Sequence, residues 1–579
     1  MKLKVRYYLV GISVILGLLL LIYEYGHVPQ VNRGLFMAKL DRAVPINRDQ
    51  AEGIIGIFDR TDKHSDLGKH GYQHTYLGLS KIADRDNLEA LSSKIALDKT
   101  NLLSLVLTDC HENCLIETIR GDYDQTLKAY CRILAKSNRE VLLRWCPEME
   151  VPVHVYPWQY QSPKLYNEAF QHVSKLCKAA FPAIKIVWGP AGYPGAEEYW
   201  PGKEVVDLIS VTLEGVSEEL TNAYPRPVNQ AIAIRRKIHR MRFMDKPILV
   251  LGPQTIKNKG VSIITKSFHQ AIHQLKKEEP TFFSPSSDDQ LALKPNDKTT
   301  TPLKIGVYDP KKLLLQNESV HVEHLFTDLG AIQNGSFEKE FNDVLSRNHD
   351  IIVTFEPWKD TYVRKDTNVL LNTLHGVYDK EFRKLYTLIS ATNQTVYLRF
   401  AHEMEIPIYR YSWQSQDPVL YIKAFRYFMF FDKNHASNVK KVWGPAGDRG
   451  SMEWWPGDDA VDYISIAIYG LPDKNITDPA QQETFRKIYD RKSYRMRFAN
   501  KPFFITEFGV KGPEAYQQKW LEDAATTINQ HPEIAGVCYF NLMDNPKVWG
   551  NISPPNWSIS PQSLSHFVQM IANKRLVMN

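Results

Sequence analysis

The chain has 579 residues, 43% apolar and 23% charged, which is ordinary globular composition over a length too great for one hydrophobic core, so two large domains are expected. A net charge of +6, with Lys and Arg interspersed among Asp and Glu, leaves no basic stripe and argues against nucleic acid as a partner. Aromatic residues at 11%, including 12 Trp, suit a neutral polymer whose ring faces stack on flat side chains, although Trp serves equally well as core.

At the N-terminus, Lys2, Lys4 and Arg6 precede an uncharged, Leu- and Ile-rich stretch from Tyr7 to Tyr23. This lies at the short limit of the roughly 17 to 25 residues of a spanning helix. No small-x-small cleavage site follows in Glu24-Tyr25-Gly26-His27-Val28, so an uncleaved anchor is expected: a cytoplasmic tail at 1–6, a transmembrane anchor at 7–23 and a linker at 24–49. The positive flank places the bulk of the chain on the periplasmic or extracellular side. Expected partners there are the membrane, through the anchor, and polysaccharide synthesis or export machinery. Cys110, Cys114, Cys131, Cys146 and Cys177 fall in the first half, where such a compartment permits disulfides of unspecified pairing. Cys110-His111-x-x-Cys114 lacks the second pair of a zinc site, so no metal is expected.

From Val141 onward the chain is written twice. VLLRWCPEMEVPVHVYPW at Val141 returns as VYLRFAHEMEIPIYRYSW at Val396, a shift of 396 − 141 = 255. The same shift pairs KIVWGPAG with KKVWGPAG, YWPGKEVVDLIS with WWPGDDAVDYIS, and RMRF at Arg240 with RMRF at Arg495. A gapless match over such a span reads as duplication of a domain-sized unit. The first copy, 50–283, opens with a strand at Gly53, and its last strand is the weakest, with Thr281-Phe282-Phe283 before a polar linker at 284–301.

In the second copy, 302–579, short β-rich runs alternate with helical stretches. Strands are expected at 304–309, 320–326, 351–356, 396–402, 439–444, 462–468, 502–508 and 534–541. Eight βα units of this length match a TIM-type barrel of about 250 residues. An open doubly wound sheet is the alternative, but no Gly-rich phosphate loop follows the first strand. The fold class expected is therefore α/β, two tandem (β/α)8 barrels behind an N-terminal anchor.

Active sites of such barrels lie at the C-terminal ends of the strands. Glu403 follows the fourth strand and Glu507 ends the seventh, a pair that can face each other across the mouth. At roughly 5–5.5 Å, one carboxylic acid protonates the leaving oxygen while the other carboxylate attacks the anomeric carbon. Glu356 and Trp358 at the third strand, and Trp413, Trp443 and Trp455, are further candidates for contact with sugar, with burial in the core an equal alternative for Trp413, Trp443, Trp454 and Trp455 and a salt bridge nearly as good a reading of Glu356.

The motifs His402-Glu403-Met404, Val442-Trp443, Trp455-Pro456-Gly457-Asp458 leading to Val461-Asp462-Tyr463, and Glu507-Phe508-Gly509 resemble glycoside hydrolase family 26 of clan A, which includes β-mannanases, β-1,3-xylanases and mixed-linkage glucanases. The resemblance implies Glu403 as acid/base and Glu507 as nucleophile, with His402, Arg399 and Tyr469 lining the subsite of cleavage. It implies an endo-acting, retaining hydrolase of a polysaccharide that needs no cofactor. Family mannanases carry an Asn two residues after the acid/base and a Trp further on. Glu405 and Ile406-Pro407-Ile408 stand here instead, which argues against mannan.

The 255 shift turns Glu403 into Glu148, but Glu507 into Gly252, His402 into Pro147 and Tyr469 into Glu214. Double displacement needs its nucleophile, so the first copy is expected to be inactive. Trp158, Trp188, Tyr199 and Trp200 leave room there for glycan binding, and a purely structural role is as good a reading. A non-catalytic glycan-binding or export protein is the alternative for the whole chain.

Overall fold

The computed structural model describes residues 52–60, 72–95, 100–107, 113–137, 140–153, 156–213, 229–253, 259–282, 303–358, 368–407, 410–432, 436–471, 483–544, 546 and 553–575. The expected anchor at 7–23, both linkers, Cys110, His111 and Glu214 lie outside these. Among the described residues no helix is long and apolar enough to cross a membrane.

The strands run β1 (Glu52–Phe58), β2 (Tyr72–Gly78), β3 (Thr100–Val106), β4 (Val141–Trp145), β5 (Lys185–Trp188), β6 (Leu208–Thr212) and β7 (Ile248–Pro253) in the first unit. The second has β8 (Lys304–Tyr308), β9 (Val322–Asp328), β10 (Asp350–Glu356), β11 (Val396–Phe400), β12 (Val439–Trp443), β13 (Tyr463–Ile464), β14 (Ile468–Gly470), β15 (Phe503–Val510) and β16 (Ile534–Phe540).

The second unit is a closed parallel barrel, with β16 hydrogen-bonded back to β8. Its strands read as apolar runs because both faces are covered. Val322, Ile352, Tyr397, Val442, Phe504 and Cys538 fill the barrel, while the alternate residues pack outward on the helices. The sixth strand is split: β13 and β14 flank Ser465–Ala467, where the Ser465 N–H still donates to the Trp443 carbonyl (2.8 Å) and its hydroxyl bonds Thr506 Oγ1 (2.6 Å). This interruption lies beside the end of β15 and brings Tyr469 to it.

The expectation of a second complete barrel fails in the first unit. Among the described residues, its seven strands form one curled sheet, ordered β1-β7-β6-β5-β4-β3-β2, and β1 runs antiparallel to β7 from Glu52↔Pro253 to Phe58↔Ile248. A strand entering in that direction occupies the edge where an eighth parallel strand would close the ring. The weak last strand does not form either, because residues 281 and 282 belong to the helix Lys259–Phe282. Apolar side chains take up the interior: Leu102, Leu142, Val187, Leu208, Leu249 and Leu251, with Ile54 and Ile57 from β1. A disulfide joins Cys131 to Cys177, linking the helices Asp124–Leu134 and Pro163–Ala180, while Cys114, Cys146 and Cys538 are buried thiols.

The two units meet through their loops after β5 and β12 and the helices Gln230–Arg240 and Phe485–Arg495. Buried Glu453 accepts from Arg236 Nε (2.9 Å) and Arg240 Nε (3.0 Å), and Arg242 donates to the Met452 carbonyl (2.9 Å). Reciprocally, Glu198 pairs with Arg449 and Arg495 (3.2 Å each), and Arg497 donates to the Glu197 carbonyl. Phe243 stacks on Phe498 with centroids 5.7 Å apart. These partners match under the sequence shift, since 453 − 198, 495 − 240, 497 − 242 and 498 − 243 all equal 255. A surface that meets its own counterpart in this way has the form of a two-fold interface.

Candidate active site

Glu507 stands where β15 carries one residue more than its neighbour, since Ile505 pairs with Val537 and Phe508 with Tyr539. Such a bulge re-aims a side chain, and here it turns the carboxylate into the mouth. Arg399, at the end of β11, forms an ion pair with Glu507 Oε1. Tyr469 donates to Oε2 (3.1 Å), and burial followed by the Glu507 charge holds its hydroxyl above its usual range, so it remains a donor. Two donors thus fix the carboxylate from opposite sides.

Behind Arg399 a buried relay sets its orientation. Its Nε donates to Thr354 Oγ1 (2.8 Å), which is 2.7 Å from His324 Nε2, and His324 Nδ1 faces the Thr506 carbonyl at 3.2 Å. A carbonyl only accepts, so Nδ1 carries the proton and Nε2 accepts from Thr354. Burial and then Arg399 push His324 well below the usual histidine range, which keeps it neutral. Thr506 precedes Glu507, so the relay ties both partners of the ion pair to one frame.

Glu403 follows β11 in left-handed backbone (φ +52°), as does Ala401 (φ +46°). The Glu403 N–H donates to the Gly444 carbonyl (2.8 Å) and its own carbonyl accepts from Gln414 Nε2 (3.0 Å). Its carboxyl is raised to about 7, first by burial and then by the negative charge of Glu507. Raising one acid against an ionised neighbour is the electrostatic arrangement by which two carboxylates acquire different roles.

His402 is buried and held well below its ordinary range by burial and then Arg399, so the imidazole is neutral, with Nδ1 lacking a partner. Its carbonyl accepts from Trp413 Nε1 (2.7 Å), and its ring packs on Tyr411 (4.8 Å), which stacks in turn on Trp413 (4.8 Å). Glu356 ends β10, accepts from Trp358 Nε1 (3.1 Å) and is pushed up to about 8 by burial, so it is protonated at neutral pH.

The tryptophans proposed for sugar contact are largely core. Trp443 directs its ring away from the barrel axis onto Trp455 (5.1 Å), because Val442 takes the inward position of β12. Trp413, Trp443 and Trp455 are fully enclosed, which leaves no ring face for a ligand. Half-buried aromatics stand at the mouth instead: Tyr308, Phe326 and Phe540, from the ends of β8, β9 and β16. Tyr308 stacks on Phe540 (4.7 Å), and Phe326 lies between Arg399 (5.8 Å) and His402 (5.9 Å). Trp557 folds back onto Tyr469 at 4.5 Å. Sequence reading missed Tyr308, Phe326, Phe540, His324 and Thr354; aromatic or polar residues at inward positions near strand ends are the signal that marks them. Among the described residues no group of three His, Cys, Asp or Glu side chains is arranged to hold a metal.

The first unit repeats the backbone of this site without its chemistry. Glu148 is again left-handed (φ +61°), donates to the Gly189 carbonyl (2.8 Å) and accepts from Gln159 Nε2 (3.0 Å). Position 252 is glycine, and a Cβ there would lie 2.4 Å from Ile55 Cδ1, so β1 fills the space of a nucleophile. Arg144, the counterpart of Arg399, donates to Thr212 Oγ1 (2.8 Å) and the Tyr76 hydroxyl (3.2 Å).

No family model matches the chain. It is 28% identical over 158 residues to a β-1,3-xylanase of a Vibrio species and 26% identical over 156 residues to one of an Alcaligenes species, in each case 25% of this chain. The chain spans 29% of the length of these curated relatives. Among solved structures, a GH26 β-mannanase from Bacteroides ovatus is 14% identical with a TM-score of 0.36, covering 47% of this chain and 89% of that one. A GH5_18 protein from Bifidobacterium longum subsp. infantis is 10% identical with a TM-score of 0.38, covering 47% and 79%.

Proposed function

We propose that the second unit is a retaining, endo-acting glycoside hydrolase of family 26 type that cleaves a β-linked polysaccharide. The observation that carries this reading is the Glu403 carboxyl, raised to about 7 beside a Glu507 carboxylate gripped by Arg399 and Tyr469. Glu403 is suited to protonate the glycosidic oxygen and then, as carboxylate, to activate water. Glu507 attacks the anomeric carbon and is released when that water attacks. Neutral Glu356 and His402 face the same mouth as hydrogen-bonding groups for sugar hydroxyls, and Tyr308, Phe326 and Phe540 offer ring faces.

The chain is on this reading a duplicated unit, with 50–283 a degenerate copy and 302–579 the working one, tethered by 7–23 with its bulk outside the cytoplasm. The Cys131–Cys177 disulfide supports an oxidising compartment. Names of the matched relatives make β-1,3-xylan the first substrate to test, and Glu405 in place of the mannanase Asn argues against mannan. Purified protein lacking residues 1–49 is expected to release reducing ends from one member of a panel of β-1,3-xylan, β-1,4-xylan, mixed-linkage glucan, mannan and bacterial exopolysaccharide. Silence on all of them would sink the proposal. The second reading, a glycan-binding protein, draws on the nucleophile missing at Gly252. Glu507→Ala separates the two, since it abolishes cleavage but spares glycan affinity in a hydrolase and changes nothing in a pure binder.

A further inference from the structure

The loop of residues 444–455 that follows β12 is held from two sides. On the side of the site, Gly444 accepts the Glu403 N–H (2.8 Å), and Glu405 Oε1 gathers the N–H groups of Gly447 (2.9 Å) and Asp448 (3.2 Å) and the Ser451 hydroxyl (2.8 Å). Glu405 lies two residues past Glu403, and its other oxygen is buried without a partner. Its anchorage is therefore directed wholly at this loop.

On the far side the first unit takes hold. Arg449 pairs with Glu198 (3.2 Å), donates to the Glu150 carbonyl (3.0 Å) and lies over the Tyr160 ring (4.8 Å). Glu453 is clamped between Arg236 and Arg240. Arg495 spans the junction, donating to the Gly447 carbonyl (3.0 Å) and pairing with Glu198 (3.2 Å). Glu150, which corresponds to Glu405, likewise accepts from Tyr193 N–H (2.9 Å), so each unit ties its fourth loop to its fifth at the shared interface. Left-handed backbone at Ala401 and Glu403 persists only where surroundings over-determine it.

We propose that the first unit is a fixed abutment for the second: the interface immobilises loop 444–455, and Glu405 is the positioning residue that passes this restraint to Glu403. The proposal rests on the reading of Glu403 as acid/base. It gives an inactive copy a role in the reaction without a substrate of its own.

The test uses the full chain and two substrates: the polysaccharide it hydrolyses and a 2,4-dinitrophenyl β-glycoside of the same sugar, whose leaving group needs no proton. Glu405→Ala is expected to lower kcat on the polysaccharide by about 10- to 100-fold at nearly constant KM, as misplacement of a catalytic group by an ångström does. Azide should accelerate that variant on the activated glycoside, opening the glycosyl ester at Glu507 to form the β-glycosyl azide and free the carboxylate, and should leave wild type unaffected. Glu405→Gln, which retains an acceptor oxygen, should recover most of the rate. Arg449→Met should show the same pattern in weaker form, about 3- to 10-fold. Equal losses on both substrates without an azide response, or losses matching the fall in folded fraction by circular dichroism, would overturn the positioning role while leaving Glu403 as acid/base. A wild type that cleaves neither substrate would overturn the hydrolase reading itself, and this inference with it.

Discussion

Replacing Glu453 by Gln tests the junction of the two units. Burial alone would raise this carboxyl, but Arg236 and Arg240 hold it at about 2, against 4.5 for an ordinary glutamate. That difference, 4.5 − 2, corresponds to about 3 kcal/mol at 1.36 kcal/mol per unit. Removing one member of a buried pair independently costs about 3–5 kcal/mol, because the guanidinium groups are left without their counter-charge. Gln keeps part of the hydrogen bonding, so a loss of about 2–4 kcal/mol is expected in guanidinium unfolding at pH 7. The folded-state value is depressed, so the contribution is complete above about pH 4.5 and disappears as pH falls toward 2. The difference between wild type and variant should therefore be flat from pH 5 to 8 and shrink only in acid. Asp459→Asn is the control: Arg426 pairs with an Asp459 side chain 64% exposed, and such a pair contributes under about 1 kcal/mol. A Glu453→Gln effect no larger than that of the control would refute the reasoning.

Three further outcomes are expected. Cys131→Ser opens a loop spanning 46 residues, for which chain entropy gives an upper figure of roughly 4 kcal/mol, read as a lower Tm in the absence of reductant with little change in hydrolysis. Gly252→Ala forces a Cβ to within 2.4 Å of Ile55 Cδ1 and should destabilise the first unit by about 1–3 kcal/mol in thermal unfolding; Gly252→Glu should confer no second activity on a Glu507→Ala background. With Glu403 raised to about 7 and required in its protonated form, kcat on the polysaccharide should fall above about pH 7, and an unchanged alkaline limb in Glu403→Gln would remove Glu403 from that role.

The barrel of the second unit was legible in the sequence because parallel strands covered on both faces appear as short apolar runs between helical stretches, and each of the eight expected strands lies within a few residues of an observed one. Glu403 and Glu507 were legible as carboxylates at strand ends. Direction is not written in composition: GIIGIF reads as a strand whether it runs parallel or antiparallel, so the open first sheet could not be foreseen from β1. Nor does composition say which face a ring takes. Trp443 follows inward-facing Val442 and is therefore turned outward to the helices, whereas Phe326 and Tyr308 reach the mouth. The relay from Arg399 through Thr354 to His324 joins three neighbouring strands, a juxtaposition set by the pairing register of parallel strands far apart in sequence.

Covalent trapping tests the central claim most directly. A 2-deoxy-2-fluoro β-glycoside of the hydrolysed sugar with a dinitrophenolate leaving group should glycosylate the full chain once and release one equivalent of dinitrophenolate. Peptide mass mapping should place the glycosyl ester on Glu507, with labelling abolished in Glu507→Ala and retained in Glu403→Ala. A label on any other residue, or unlabelled protein that nevertheless hydrolyses the natural polysaccharide, would contradict the account.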